Sequence, residues 1–328
     1  VIWRDPNTLQ VGLDKEKVIL QNLTLSQQQI FAALYTGLVD GQQDVLDSTY
    51  KAGPGTTQSL IEKLSSVIEK SETLSNKFGP WQQLAFAELA RAAIDYQVNP
   101  EMVMAERWAR VVHIDQLDKA GVLLTKGLLA SGVGKVVTHD YGRVLNTDLG
   151  ELGFPMSSLG KSRFDLTKNE LVQLDISNLE SERLVDLNEK TNFKAKISLA
   201  VLVSHLVARP GTYSRWMNRD VPHLNISFEL NETRISPIVI PGETPCLNCL
   251  AEQKVDEDSA WPVIASQLLE LPKVRDDSSS LLSATGLALR SILRHLDASA
   301  GFRVPESEGS DFKSGYRIEY LSGNVLRT

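Results

Sequence analysis

The stretch from Arg110 to Asp140 constrains the fold more than any other part of this chain. Arg110-Val-Val-His-Ile114 reads as a short buried strand, Gly121 to Ser131 as an apolar helix, and Val136-Val137 as a second strand that closes on His139-Asp140. Gly132-Val133-Gly134 makes the turn between that helix and the second strand. Strand, turn, helix, strand and a terminal acid form the frame of a nucleotide-binding βαβ unit. In such a unit glycines let backbone approach the phosphates, the helix N-terminus offers N–H donors, and the acid takes the ribose hydroxyls.

The phosphate turn itself departs from that pattern. It reads Asp115-Gln116-Leu117-Asp118-Lys119-Ala120-Gly121, so with Gly121 as the third glycine the first two fall on Gln116 and Asp118. Side chains stand where a triphosphate would touch backbone, and Asp118 adds a like charge. Two unit charges about 4 Å apart interact by about 4 kcal/mol at an effective dielectric of about 20, enough by itself to erase micromolar affinity. Two readings stay open: a sheet domain that uses the turn only for packing, and an atypical ATP and Mg²⁺ site.

The pattern beyond the frame is that of an α/β domain. Strands are expected at Ile197 to His205, His223 to Phe228, Arg234 to Ile240 and Tyr316 to Leu321, with helices at Pro210 to Asp220, Trp261 to Leu269 and Ser280 to Leu296. Trp81 to Arg107, with Leu84, Phe86, Leu89, Ala92 and Ala93, reads as a helical connector. Before it lies a different module. Trp3, Leu9, Val11 and Leu13 alternate around Asp5-Pro6-Asn7, Val18-Ile19-Leu20 gives a second short strand, and Ser26 with Gln29 has the spacing of a capping box. Gly53-Pro54-Gly55 breaks the chain before Leu60, Ile61, Leu64, Val67 and Ile68 recur at helical spacing. The expected division is a winged-helix-like α+β domain over 1–80, a connector over 81–107 and the α/β domain over 108–328.

Charge decides among partners for the first module. Residues 1–80 carry 7 Lys+Arg and 9 Asp+Glu, a balance of 7 − 9 = −2, without the basic stripe that reads a duplex. The whole chain, with 34 Lys+Arg against 41 Asp+Glu, likewise lacks a broad cationic field for nucleic acid or a membrane surface. A peptide or partner protein fits better, an extended segment pairing with the open edge of the hairpin. The longest apolar stretch, Ser198 to Ala208, falls short of the roughly 20 residues that span a bilayer. Two cysteines in all and no signal pattern after Val1 make a cytoplasmic protein without structural disulfides the default, although the chain starts without Met.

Several runs carry a resemblance. They are Gly132-Val-Gly134, His139-Asp140-Tyr-Gly-Arg143-Val144, Asp148-Leu149 with Gly153, Leu159-Gly160-Lys161-Ser162-Arg163 and Ser204-His205-Leu206-Val207. Longer ones are Arg215-Trp216-Met-Asn-Arg219-Asp220-Val221-Pro222-His223, the segment from Pro237 through Pro245-Cys246-Leu-Asn-Cys249-Leu250, and Trp261-Pro262. Together they resemble the ThiF/MoeB-type, ubiquitin-activating-like adenylyltransferases. Closer still are actinobacterial ThiF-like proteins grouped with the cyclodehydratase partners of thiazole/oxazole-modified peptide biosynthesis. The resemblance covers about 108–328, and Trp3-Arg4-Asp5 with Leu9-Gln10-Val-Gly12-Leu13 is similar to the N-terminal peptide clamp of the same proteins.

The resemblance implies a Rossmann-like ThiF-type domain, and either an enzyme that adenylates a carboxylate or a relative that keeps the scaffold without the chemistry. It places Asp140 as the ribose acid and Arg163, in the run with Lys161, where a phosphate-contacting Lys is expected. Gly142 stands for the second acid, Asp148 for an Asn and Glu151 for an Arg, so positive charge meant for the phosphates is replaced by acids. A vestigial nucleotide cleft of Gly121, Asp140, Lys161 and Arg163 follows. A homodimer is a further expectation from the related scaffolds.

Cys246 and Cys249 have the spacing of half a tetrahedral zinc site. In the related proteins a second pair follows a strand like Arg317 to Val325, so zinc is expected if a C-terminal tail supplies it. A redox pair and a vestigial pair are the other readings. Arg215 and Arg219 share a helix face beside Trp216, as an anion contact or as a solvated face. His113 and His205 read as core or strand-end histidines, and Gly-x-Ser-x-Gly does not occur.

Overall fold

The computed structural model of the chain describes residues 1–12, 18–36, 41, 43–67, 86–96, 98–174, 183–188, 194–273, 277–303 and 314–328. Two compact units divide it, Val1–Ser75 and Asn76–Thr328.

In the first unit, β1 (Ile2–Asp5), β2 (Thr8–Val11) and β3 (Val18–Leu20) form an antiparallel meander in that order. Helices α1 (Leu25–Thr36), α2 (Gln43–Thr49) and α3 (Thr56–Lys63) follow. The expected first strand is two strands. Asp5 Oδ1 accepts the Asn7 N–H at 2.8 Å, and this local turn folds Trp3 back opposite Leu9. The capping box sits two residues earlier than Ser26 and Gln29. Thr24 Oγ1 accepts the Gln27 N–H at 3.3 Å while Gln27 Oε1 accepts the Thr24 N–H at 2.9 Å, because Thr24-x-x-Gln27 carries the same pattern and starts a longer helix. Leu9, Leu20, Ile30, Phe31, Leu60 and Leu64 make the core. Asp47 on α2 accepts both the N–H and the hydroxyl of Thr57 and so ties α2 to the start of α3. All of β1 is exposed. Leu13 and Ile68 lie outside the described residues, as do Trp81 and Leu84 of the connector.

The second unit holds an eight-stranded sheet in the order β11-β10-β9-β8-β7-β4-β5-β6. Its strands are β4 (Val111–Ile114), β5 (Lys135–Thr138), β6 (Leu184–Asp186), β7 (Leu199–His205), β8 (His223–Phe228), β9 (Glu232–Ile235), β10 (Tyr316–Glu319) and β11 (Val325–Arg327). The β6-β5-β4-β7-β8 block is parallel and the rest antiparallel. Its helices are α4 (Phe86–Tyr96), α5 (Pro100–Trp108), α6 (Lys119–Ala130), α7 (Arg163–Leu174), α8 (Pro210–Met217), α9 (Leu247–Glu257), α10 (Trp261–Leu268) and α11 (Ser278–Ser299).

β7 is apolar from Leu199 to Val203 because both of its faces are covered. Leu199, Val201 and Val203 join the core under α6 and α11, while Ala200 and Leu202 pack with Tyr213 and Trp216 of α8. The expected strand to Ile240 ends at Ile235, since Pro237 has no N–H to continue the ladder, and Val239 keeps only an isolated bridge to His223. At the other end of the unit Arg107 on α5 grips Asp297 on α11, Nε to Oδ1 at 2.8 Å and Nη2 to Oδ2 at 2.6 Å. Tyr96 on α4 donates its hydroxyl to the same carboxylate at 2.6 Å. Among the described residues no helix is long and apolar enough to cross a membrane.

Candidate functional site

The first strand of the parallel block, β4, lies in its middle, with β5 and β6 on one side and β7 and β8 on the other. The strand order therefore reverses between β4 and β7, and in sheets of this kind ligands bind in the crevice beyond the carboxyl ends of the strands at that point. The turn 115–118 leaves β4 here, α6 begins here, and His205 ends β7. Leu206 follows with φ +66°, a left-handed backbone rarely adopted by leucine, held by its N–H to the Phe228 carbonyl at 2.8 Å.

Gly121 packs tightly against the turn. A Cβ there would overlap the Gln116 carbonyl oxygen, so turn and helix meet backbone to backbone. Asp118 is the N-cap of α6, and its Oδ1 accepts the Gly121 N–H at 3.2 Å. Its Oδ2 faces Lys273 Nζ at 3.2 Å and His205 Nε2 at 3.5 Å, and Lys273 also donates to Gln116 Oε1 at 2.9 Å. Burial alone would raise the Asp118 carboxyl. The His205 side chain, the Lys273 ammonium and the Gly121 N–H outweigh it and hold the group well below the usual carboxylate range.

Asp140, read from the sequence as a ribose acid, is similarly engaged. Asp140 Oδ2 accepts the Leu117 N–H at 2.7 Å, and Oδ1 accepts the Gly142 N–H at 2.6 Å. Arg163 Nη1 is 3.6 Å from Oδ2, but its Nε and Nη2 donate to Asp148 Oδ2 at 2.9 and 2.6 Å, with both side chains buried. Gly142 cannot carry the second acid in this arrangement, because a Cβ would lie 2.6 Å from Asp140 Oδ1 and 2.7 Å from Arg163 Nη1. Asp140 and Arg163 thus lie together, whereas Gly121 packs on the turn that Asp140 holds through Leu117, and Lys161 is exposed on the loop before α7.

On the α8 side, Arg215 Nη2 donates to Asp115 Oδ1 at 2.5 Å and stacks 4.8 Å over Trp216. Burial raises the Asp115 carboxyl against the pull of Arg215. Among the described residues Arg219 forms no ion pair and lies 5.9 Å over the same ring. His113 is fully buried, as expected of a core histidine, and shares a 2.9 Å hydrogen bond with His139. Burial, then Arg215, His139 and Arg219, keep His113 neutral far below its ordinary range.

A separate cavity of about 600 Å³ opens on the sheet face under α9 and α10. Asn225, Ser227 and Ser236 give it a polar side, and Tyr213, Leu250 and Trp261 an apolar one. At the start of α9, Cys246 and Cys249 place their sulfurs 3.3 Å apart. They suit two of the four positions around zinc, but no group of three metal-ligating side chains occurs among the described residues.

Sequence reading missed Lys273, which stands 155 residues from Asp118 along the chain and belongs to no motif. It placed His205 at a strand end without its acidic neighbour.

No family profile matches the sequence, and no curated protein matches it. Among solved structures it is similar to Escherichia coli MccB with succinimide, at 14% identity and a TM-score of 0.64, over 98% of this chain and 94% of that one. It is also similar to selenomethionyl PaaA, at 12% identity and a TM-score of 0.66, over 98% of each chain. MccB with ATP gives 15% identity and a TM-score of 0.60, over 98% and 95% of the two chains. The microcin C7 biosynthetic enzyme MccB in complex with N-formylated MccA gives 14% and 0.61, over the same shares. At these identities the likeness is one of fold.

Proposed function

We propose that the chain is a peptide- or protein-binding scaffold of the leader-peptide-recognition type, similar in kind to the ThiF-like partners of peptide cyclodehydratases, with a degenerate nucleotide site. The observation that carries this reading is the internal bonding of Asp118 and Asp140. The groups that should meet phosphate and ribose are spent on Gly121, Lys273, Leu117 and Gly142. The first unit, read as a winged-helix-like peptide clamp, offers the exposed edge strand β1 with Ile2 and Trp3 to an extended peptide. The co-crystals of MccB with MccA are the analogy for such a partner.

Calorimetry of the full chain with ATP and Mg²⁺ tests the nucleotide half of the proposal. No heat of binding at millimolar ATP is expected, and a micromolar interaction sinks the reading. For the peptide half, panning a random peptide library should recover binders that the Trp3→Arg variant no longer holds. Recovery of none, or of binders indifferent to that change, counts against it.

The second reading is an ATP-dependent adenylyltransferase that activates a carboxylate of a peptide or small modifier protein. The intact βαβ frame and the likeness to MccB with ATP favour it. Zinc belongs to the proposal only with two further ligands from a C-terminal tail, for which metal analysis of a longer chain is the measurement. A homodimer is checked by light scattering.

A further inference from the structure

A bound phosphate at the start of a Rossmann helix takes three things: N–H donors of the first turn, a nearby cation, and a place from which water is excluded. All three are present in the crevice, and all three are already taken by the protein's own anion. Asp118 caps α6 through the Gly121 N–H, its other oxygen meets Lys273 at 3.2 Å and the His205 ring at 3.5 Å, and its side chain is 7% exposed. Lys273 is fixed from a second direction by Gln116, the other residue that replaces a turn glycine.

We infer that Asp118 is a built-in substitute for a bound phosphate, an intramolecular ligand that keeps the crevice in a liganded arrangement and closes it to polyphosphates. This rests on the reading of the nucleotide site as degenerate and adds what fills it. Lys273 and His205 are then not incidental partners of an acid. They line a latent anion site, with Lys273 as its cation and the His205 ring beside it, whose native occupant is a carboxylate. The ribose side is matched, since Asp140 is held by the Leu117 and Gly142 N–H groups. Removing the Asp118 charge while keeping a capping side chain should free Lys273 without unfolding α6, because Ser and Asn serve as N-caps about as well as Asp.

The test compares the full-length wild type with Asp118→Ser and Asp118→Asn, each with and without Lys273→Ala, by thermal shift and calorimetry with sodium pyrophosphate and with ATP plus Mg²⁺. Either Asp118 variant should bind pyrophosphate at least tenfold more tightly than the wild type. Adding Lys273→Ala should remove at least tenfold of that gain, while Lys273→Ala alone should leave the wild type as indifferent to pyrophosphate as before. If folded Asp118 variants gain nothing, or gain equally without Lys273, the inference is overturned while the degenerate-site reading stands. Micromolar ATP binding by the wild type overturns both.

Discussion

Asp140 Oδ2 and the Leu117 N–H are 2.7 Å apart, so the acid two residues past β5 clamps the turn that leaves β4. In an occupied site of this fold class the equivalent acid faces ribose. Here its two oxygens bond backbone on both sides of the crevice, at Leu117 and Gly142.

Asp140→Ala is therefore expected to act on stability before it acts on any ligand. It leaves two backbone N–H groups in the crevice without their acceptor, at roughly 1–3 kcal/mol for each group that water does not reach. Urea unfolding should show a lower midpoint with an unchanged slope. A variant as stable as the wild type would show that the clamp contributes nothing.

Gly121→Ala tests the backbone contact at the start of α6. The added methyl would overlap the Gln116 carbonyl oxygen, part of the main chain that cannot swing aside, so a loss of at least about 2 kcal/mol is expected. Gly211→Ala is the control, because no atom lies within 4 Å of a Cβ there. Equal effects at the two positions would contradict the packing argument.

Asp297→Asn should be among the most damaging single changes in the second unit. Arg107 and Asp297 form a bidentate pair with side chains 7% and 0% exposed, and removing one charge strands the other. A cost of about 3–5 kcal/mol is expected from thermal or urea unfolding. Replacing both residues with apolar ones of similar size should recover most of it.

Acid sensitivity should set in well above the carboxylate range. Burial first, then Arg110, pushes His295 down to about 4. Between its ordinary value near 6.5 and that value the unfolded chain holds a proton that the folded chain does not. Stability is then fully present above about pH 6.5 and falls by up to about 1.4 kcal/mol per pH unit as pH drops toward 4. His113, His139 and His223 are depressed in the same direction, burial being the leading cause in each. His295→Gln should flatten one share of the slope in unfolding curves taken from pH 7.5 to 4.5. An unchanged slope would remove His295 from the account.

The order of local elements was legible in the chain because each is written in nearest-neighbour chemistry. β7 announces itself as an apolar run and His223 to Phe228 as an alternating one; Gly121 declares a tight helix start, and Asp140 lies two residues beyond the strand that follows. The absence of the first two turn glycines, read from Gln116 and Asp118 alone, already argued for a filled phosphate turn. What fills it was decided by tertiary structure. Lys273 and His205 come from 155 and 87 residues away along the chain, and only the side-by-side packing of β4 and β7, with α11 following the Lys273 segment, brings them to Asp118. The pairing of Arg163 with Asp148, and of Arg107 with Asp297, likewise depends on where buried charges can find opposite charge. Propensity and periodicity act over a few residues; the low dielectric of a closed crevice selects partners by distance in space, which no local pattern encodes.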